Sequence, residues 1–357
     1  MRGLLLGAMV SLCACGGPGS DHRATRTAQA PELTLRQAVG QHMLFAYDGM
    51  APPQDLRRRI ARGEAAGVIL FARNVRSAGQ VRAVTRSLQA IERPAGLRAP
   101  LIVAVDQEGG PVRRIPGSPV RAAADAGTAA RATADGRAAA QTLRSAGVNL
   151  DLAPVADVAQ PGAALERERR TYGRSAGTVA RLTAAFAGGL RAGGVLATAK
   201  HFPGFGAATV STDAAPARIA TPLETLRAVD ALPFARLVGG GIGAVMLSTA
   251  VYPALDERPA ALSERWVAEL RGRLGFAGVT LSDDLGTPAV APHGSLGRRA
   301  VLAARAGIDL PLFVASYRAG RQAAAGLLDA ARNRRLDAAA LRAAAQRVLA
   351  LRAQLSG

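Results

Sequence analysis

The feature that most constrains the fold is an alternation of short apolar segments with longer segments rich in Ala, Leu and Arg. The apolar segments cover residues 41–47, 67–71, 101–106, 148–154, 195–200, 242–248, 278–283 and 308–313. Apolar runs without polar alternation are typical of strands buried on both faces of a parallel sheet. Helical patterns lie between them, for example at 177–192, 223–237 and 263–274.

Eight such strands with intervening helices predict an α/β protein with a single (β/α)8, TIM-type barrel over residues 35–357. The alternative is an open doubly wound sheet, which needs a Gly-rich phosphate loop directly after an early strand. The main glycine cluster, at 239–243, instead precedes a strand, so we interpret it as a helix stop. Residues 334–352 predict a closing helix.

The first residues are interpreted as a targeting segment. Arg2 precedes an apolar stretch at 3–12 that is too short to span a bilayer. Leucine at −3 and alanine at −1 before Cys15 resemble a bacterial lipoprotein processing site. We predict a signal peptide over 1–14, and a lipidated Cys15 with a flexible tether over 15–34. The protein would be extracytoplasmic and anchored to the membrane through its lipid, or, alternatively, secreted.

The charge balance is strongly basic and is made of arginine. Lys+Arg is 45 against 26 Asp+Glu, a net charge of +19, and Lys200 is the one lysine. Aromatic residues make up 4% of the chain, which argues against single-strand nucleic-acid binding, so we expect no nucleic-acid partner. The surplus suits anionic wall polymers or lipid headgroups instead.

Metal and disulfide chemistry find little support in the sequence. The two cysteines, Cys13 and Cys15, exclude a disulfide scaffold and a cysteine-based zinc site. The four histidines have no close spacing, so we expect no metal site.

Polar side chains concentrate where the predicted strands end, which is where barrel enzymes carry their catalytic groups. Acids and bases converging there suit a neutral polyol, because carboxylates accept hydrogen bonds from hydroxyls and cations donate to oxygens. The residues concerned are Asp106, Arg114, Arg170, Lys200, His201 and Asp283.

Six motifs carry a family resemblance: GVILFARNV (67–75), VDQEGGPVRR (105–114), GVNLDLAPVADV (147–158), RTYG (170–173), KHFPGFG (200–206) and LSDDL (281–285). In this order they resemble family 3 glycoside hydrolases, and most closely the single-domain β-N-acetylglucosaminidase branch. The resemblance implies a (β/α)8 barrel, a retaining mechanism, and no metal or organic cofactor.

The resemblance also implies roles for individual residues. Asp283 in SDDL matches the nucleophile, while its neighbour Asp284 would point the other way if the strand continued its alternation. The matching sugar-binding positions are Asp106, Arg114, Arg170, Lys200 and His201. Lys200 has support of its own. In a chain that otherwise uses arginine, a single lysine implies a site where the guanidinium fork does not fit.

The sequence departs from the family in one loop. After KHFPGxG, the branch carries an Asp-Ser-His triplet whose histidine is the general acid/base, whereas this chain has Ser211, Thr212 and Asp213. Asp213 is therefore the candidate acid/base, in a two-carboxylate design. The alternatives are that Glu108 or His293 serves instead, or that the protein binds sugar without hydrolysing it efficiently.

The expected function is a retaining glycosidase that removes terminal β-linked N-acetylhexosamine from cell-wall or chitin-derived sugars. The alternatives are a β-glucosidase-type exo-glycosidase of the same family and a catalytically impaired sugar-binding lipoprotein. The expected partners are a carbohydrate substrate containing N-acetylglucosamine, the membrane through the lipid anchor, and anionic wall polymers. We expect a monomer.

Overall fold

The computed structural model describes residues 32–355. The predicted signal peptide, Cys15 and most of the predicted tether lie outside these residues. Among the described helices, none combines the length and apolar character needed to cross a membrane.

The central element is a seven-stranded sheet in which all neighbouring strands are parallel. Its strands follow one another in chain order, as expected when each connection carries a helix back across the sheet. They are β1 (Leu44–Phe45), β2 (Gly67–Ile69), β3 (Ile102–Val105), β6 (Leu150–Asp151), β7 (Leu196–Phe202), β8 (Ala244–Leu247) and β11 (Val279–Ser282). The predicted α/β class is therefore confirmed.

The eighth predicted segment, 308–313, does not form a strand of this sheet. Leu310 makes a single parallel bridge to Leu281. The Leu310 N–H donates to Thr280 O at 3.0 Å, and its carbonyl accepts from the Ser282 N–H at 3.2 Å. Side chains add two further bonds, since the Asp309 carboxylate accepts from the backbone N–H of Thr280 at 2.9 Å and Ser282 Oγ accepts from Leu312 N–H at 2.9 Å. The sheet is thus curved and seven-stranded where eight strands were predicted.

The first predicted strand was placed too early. Residues 35–41 form a helix, because Thr34 and Gln37 make a reciprocal capping box that starts α1. The strand is reduced to Leu44–Phe45.

Two short antiparallel hairpins were not predicted. One pairs β4 (Gln107–Gly109) with β5 (Val112–Arg113), and the other pairs β9 (Val251–Tyr252) with β10 (Asp256–Pro259). The first follows β3 directly and so projects from the carboxyl end of the sheet.

The helices pack around the sheet. They are α1 (Leu35–Gln41), α2 (Gln54–Ala61), α3 (Ala78–Gln89), α4 (Ala129–Ser145), α5 (Ala164–Arg167), α6 (Ala176–Ala192), α7 (Leu223–Thr225), α8 (Leu232–Gly239), α9 (Glu264–Ala268), α10 (Leu296–Ala306), α11 (Tyr317–Arg332) and α12 (Ala338–Arg352).

The predicted helices at 177–192 and 334–352 correspond to α6 and α12, and Gly240 caps α8 as the glycine cluster suggested. The predicted helices at 223–237 and 263–274 each contain a π-helical turn.

The apolar core has two layers. Along β3, Val103 and Val105 face the outer helices, while Ile102 and Ala104 belong to the cluster enclosed by the curved sheet. Leu351 of α12 joins the enclosed cluster and covers the end where the strands begin. The opposite end, where the strands finish, is left for the polar side chains.

Candidate active site

A cavity of about 460 Å³ lies at the carboxyl ends of the parallel strands. All seven residues that the sequence singled out for substrate or catalysis line it. They are Asp106, Arg114, Arg170, Lys200, His201, Asp213 and Asp283. Its apolar wall includes Phe71, Leu152 and Met246, so the cavity combines charged groups with a surface that can pack against a sugar ring.

Lys200 is the centre of an ion-pair network at the end of β7. Its Nζ lies 2.6 Å from Asp106 Oδ1 and 2.7 Å from Glu108 Oε1, and its side chain is 3% exposed. Burial works against the charged ammonium, but Asp106 and Glu108 outweigh this effect and raise the pKa of Lys200. A fully charged ammonium therefore fixes the Asp106 carboxylate at the cavity wall.

Glu108 connects Lys200 to Arg170. The Arg170 guanidinium donates to both Glu108 oxygens, at 2.8 Å each, in a bidentate pair, and a third donor reaches Glu168 at 3.0 Å. Burial opposes ionisation of Glu108, yet Lys200 and Arg170 hold the pKa of its carboxyl well below the usual range. A carboxylate held in this way is a poor proton donor, which argues against Glu108 as the general acid/base.

Below this network lies a buried carboxyl that sequence reasoning missed. Asp151, at the end of β6, accepts from the backbone N–H of Gln107 at 2.9 Å, and its other oxygen has no hydrogen-bond partner among residues 32–355. Burial raises the pKa of Asp151 to about 8, so it is protonated at neutral pH. It anchors the hairpin that carries Glu108.

Arg114 follows that hairpin and faces the same cavity. Its Nε lies 4.0 Å from Asp106 Oδ2 and makes no hydrogen bond within the described chain. The backbone N–H of Arg114 donates to Gln107 Oε1 at 3.0 Å, which positions the residue. Arg114 thus retains donors for an oxygen-rich ligand.

His201 is oriented by Asp157, which the sequence analysis also missed. The ring Nδ1 lies 2.7 Å from Asp157 Oδ2, and the same carboxylate accepts from the backbone N–H groups of His201 and Phe205. Asp157 is fully buried. The only signal for it in the sequence is a carboxylate inside the apolar run 152–158, a position that a buried acid occupies only with partners.

Asp283 and Asp284 follow the end of β11 and both line the cavity. The strand ends before them, so the expected alternation does not turn Asp284 away. Instead Asp284 Oδ1 accepts from the backbone N–H groups of Gly286 at 2.8 Å and Val314 at 3.2 Å, and burial raises its pKa to about 6. Asp284 is held by the backbone, whereas one oxygen of Asp283 accepts only from its neighbour's N–H at 2.9 Å.

Asp213 reaches the cavity from the loop after β7. It is solvent-exposed, while the side chain of the adjacent Thr212 is buried. Reduced hydration at the cavity wall raises the pKa of Asp213, and the neighbouring Asp283 raises it further, against the smaller opposing effect of His201. Asp213 therefore has the altered proton affinity that a general acid requires.

His293, the other alternative acid/base, lies in the 3-10 helix Pro288–His293 and does not line the cavity. Burial and nearby arginines lower its pKa. The described chain contains no cluster of three or more His, Cys, Asp or Glu side chains that could hold a metal ion.

Comparison with known proteins identifies the family. Residues 34–351 match the glycosyl hydrolase family 3 N-terminal domain. A curated relative from Arthroderma benhamiae, an uncharacterized secreted glycosyl hydrolase, is 38% identical over 79% of this chain and 83% of its own length.

Two solved structures have the same fold. A family 3 β-N-acetylglucosaminidase from a Paenibacillus species superposes with a TM-score of 0.84 at 33% identity; 91% of this chain is covered, and it spans 64% of that longer protein. A β-N-acetylhexosaminidase from Beutenbergia cavernae superposes with a TM-score of 0.81 at 36% identity over 91% of this chain and 99% of its own. With a family match over nearly all of the described residues, this chain belongs to glycosyl hydrolase family 3.

Proposed function

We propose that the protein is a retaining glycosidase that releases terminal β-linked N-acetylglucosamine from cell-wall or chitin-derived sugars. The observation that carries the proposal is the cavity itself, which gathers Asp213 and Asp283 beside the Lys200 network. Structural relatives named as β-N-acetylglucosaminidase and β-N-acetylhexosaminidase support the sugar class.

In the first step, Asp283 attacks the anomeric carbon and forms a glycosyl ester. The bond to the leaving oxygen breaks, and that oxygen keeps the electron pair and takes the proton from Asp213. In the second step, Asp213 removes a proton from water, whose oxygen attacks the same carbon and displaces the Asp283 carboxylate. The two inversions retain the β configuration.

Sugar hydroxyls are bound by the network around Lys200. Asp106 accepts hydrogen bonds from hydroxyls, and Lys200 and Arg114 donate to ring substituents. Arg170 holds Glu108 in place and also lines the cavity. His201, whose ring is oriented by Asp157, provides a further hydrogen-bonding group for the sugar.

We further propose that the sheet closes as a (β/α)8 barrel over residues 35–357, with the segment around Leu310 in the position of the eighth strand. We place the enzyme outside the cytoplasm, in line with its secreted fungal relative, and attach it to the membrane through Cys15 after removal of residues 1–14. N-acetylglucosamine-containing carbohydrate is its substrate partner.

A second candidate function is sugar binding with weak hydrolysis. The observation in its favour is the loop that carries Ser211 and Asp213 where the resembled branch has aspartate and histidine. An exposed carboxyl is a less efficient general acid than a buried one, because hydration stabilises its ionised form and leaves less of it protonated.

The test is release of the phenol from a panel of aryl β-glycosides. Turnover of the N-acetylglucosaminide in preference to the glucoside, with β-N-acetylglucosamine as first product by NMR, supports the proposal. Preference for the glucoside would favour a β-glucosidase-type enzyme. Tight binding of N-acetylglucosamine in calorimetry without any turnover would favour the sugar-binding alternative.

A further inference from the structure

A group of arginines lies at the end of the molecule opposite the cavity. Helices α3, α4, α6 and α8 end there, next to the starts of β6, β7 and β8. Within these four helices Asp135 is the one carboxylate against eight arginines, and five of the eight line cavities near the helix ends. They are at positions 82, 86, 144, 191 and 236.

Three of these arginines connect neighbouring helices in sequence around that end. Arg82 Nη1 donates to the carbonyls of Arg144 and Ser145, both at 3.3 Å, at the end of α4. Arg144 Nη1 donates to Gly193 O at 3.4 Å after α6, and Arg191 Nη1 donates to Gly240 O at 3.0 Å after α8. The cations thus offset the partial negative charge of the helix ends.

The hydrogen bonds to helix carbonyls leave many arginine N–H donors of this surface without a protein acceptor among the described residues. Each guanidinium has five N–H donors, and few of them donate to these carbonyls. Arg86 and Arg236 are exposed, and neither side chain makes a hydrogen bond or ion pair within residues 32–355. We call Arg82, Arg86, Arg144, Arg191 and Arg236 the basal arginine surface.

The basal arginine surface borders two concave sites. A cavity of about 450 Å³ is lined by Arg82, Arg86 and Arg144 with the polar side chains Gln89 and Gln141. A second, of about 660 Å³, is lined by Arg191 and Arg236 with the glycine loop 239–243. Gly194 lines the first cavity, and Leu196, two residues later at the start of β7, lines the second, so the two cavities are neighbours on the surface.

The described chain also begins at this end. Leu33 packs against Leu97, which precedes β3, and against Ala345 of α12. Residues that precede a parallel strand lie at the end opposite its carboxyl terminus. Cys15, the predicted lipid attachment point, stands 17 residues before Glu32 in the chain, so a lipid-anchored chain would approach the membrane from this side.

We infer that the basal arginine surface docks onto the phosphate headgroups of an anionic lipid bilayer. The carbonyl groups at helix C-termini carry partial negative charge and would repel phosphate if no cation were near. The arginines make the electrostatic potential of this surface positive instead. Guanidinium groups suit phosphate oxygens because their donors match in pairs. This docking leaves the cavity at the far end facing away from the bilayer. The inference does not depend on the proposed reaction.

The test is a vesicle partition measurement on the full chain. Vesicles of equal parts phosphatidylglycerol and phosphatidylcholine are compared with phosphatidylcholine alone. The variant Arg86→Gln/Arg236→Gln should lose about 30-fold in partition to anionic vesicles, which corresponds to about 1 kcal/mol per arginine. Wild-type binding should fall steeply with added salt.

Two matched variants control for charge and for folding. Arg265→Gln/Arg318→Gln removes two exposed arginines from the first turns of α9 and α11, at the cavity end, and should keep near wild-type partition. Arg86→Lys/Arg236→Lys preserves charge and should also bind. Equal losses in both Gln variants, binding that ignores lipid charge, or binding to soluble poly(glycerol phosphate) but not to anionic vesicles would overturn the inference.

Discussion

At the scale of single residues, the carboxyl groups in and beneath the cavity have different pKa values because their environments differ. Glu108 is kept ionised by Lys200 and Arg170, whereas Asp151 is kept protonated by burial. The pKa of Asp213 is raised by reduced hydration and by the neighbouring Asp283. Groups whose pKa values are driven apart are the usual basis of acid and base roles in one site.

Replacing Asp213 with alanine tests its role. The variant should still form the glycosyl enzyme from a dinitrophenyl glycoside, which needs no acid, but should hydrolyse it slowly. Azide should restore turnover and give the β-glycosyl azide, because it enters through the space left by the side chain. An Asp213→Ala enzyme with undiminished turnover and no azide product would rule the assignment out.

The same residue predicts a pH dependence. As the acid, Asp213 must be protonated, so kcat/KM falls as pH rises through its pKa. Reduced hydration at the cavity wall, and then Asp283, raise this pKa above the ordinary aspartate value of about 4. In Asp213→Asn this alkaline limb should vanish from the kcat/KM profile. A limb at the same pH in wild type and variant would point to a different acid.

Asp230 offers a stability test away from the substrate. Burial, and then Asp157, raise its pKa to about 7, so between about pH 4 and pH 7 the folded state holds a proton that the unfolded state has lost. Stability attributable to this group therefore declines as pH rises through that window. Asp230→Asn should gain roughly 2–4 kcal/mol over wild type on going from acid to alkaline pH in urea unfolding. A pH-independent difference would contradict the assignment.

At the scale of elements, close backbone approach decides how helices meet. A Cβ on Gly189 of α6 would lie 2.3 Å from Thr133 O of α4, and one on Gly136 of α4 would lie 2.2 Å from Phe186 O. The two helices therefore touch through glycine, with no side chains between their backbones. A Cβ on the adjacent Gly188 would have no atom of the described chain within 4 Å, apart from its own helix backbone and chain neighbours.

Because Gly189 is crowded and Gly188 is not, alanine substitutions at these two positions form a matched pair. Gly189→Ala should destabilise the protein by about 1–3 kcal/mol, since the helices must separate. Gly188→Ala, one residue away in the same helix, should be neutral or stabilising by up to ~1 kcal/mol. Chemical unfolding of both variants checks the pair, and equal effects at the two positions would contradict the close contact.

The sequence was most informative about elements that follow a simple period. The seven sheet strands fall inside or overlap the predicted apolar segments, because both faces of those strands are buried. The predicted strand around Leu310 is reduced to a single bridge, and the Asp309 and Ser282 side chains accept from backbone N–H groups beside it, which no apolar pattern reports. The hairpin with Glu108 was missed because its strands are two and three residues long.

At the scale of the site, motifs located the cavity-lining residues but not their supports. Asp157 and Asp151 act on His201 and Gln107 through contacts 44 residues apart in the chain. Such long-range pairs depend on strand order and register, so they become visible only when the sheet is assembled.

At the scale of the whole molecule, the two ends of the described chain are joined by a buried arginine. Arg352 of α12 donates to Gln41 Oε1 of α1 and to the carbonyls of Leu97, Ala99 and Pro100. It is fully buried. One guanidinium thus ties the last helix to the first helix and to the loop before β3.

Arg352→Met should destabilise the protein by about 3–5 kcal/mol, because it leaves several buried acceptors unpaired. Arg332→Met, at an exposed position in α11, should change the free energy of unfolding by less than about 1 kcal/mol. Urea midpoints measure both. Similar midpoints for the two variants would show that this tie does not contribute to stability.

The proposed mechanism depends on a covalent bond between Asp283 and the sugar. The most direct measurement is mass spectrometry of Asp213→Asn after brief reaction with a dinitrophenyl β-N-acetylglucosaminide, followed by proteolysis. We predict that one glycosyl unit is attached to the peptide containing Asp283, and that Asp283→Asn removes both the adduct and turnover. An adduct on another residue, or full turnover in Asp283→Asn, would contradict the account.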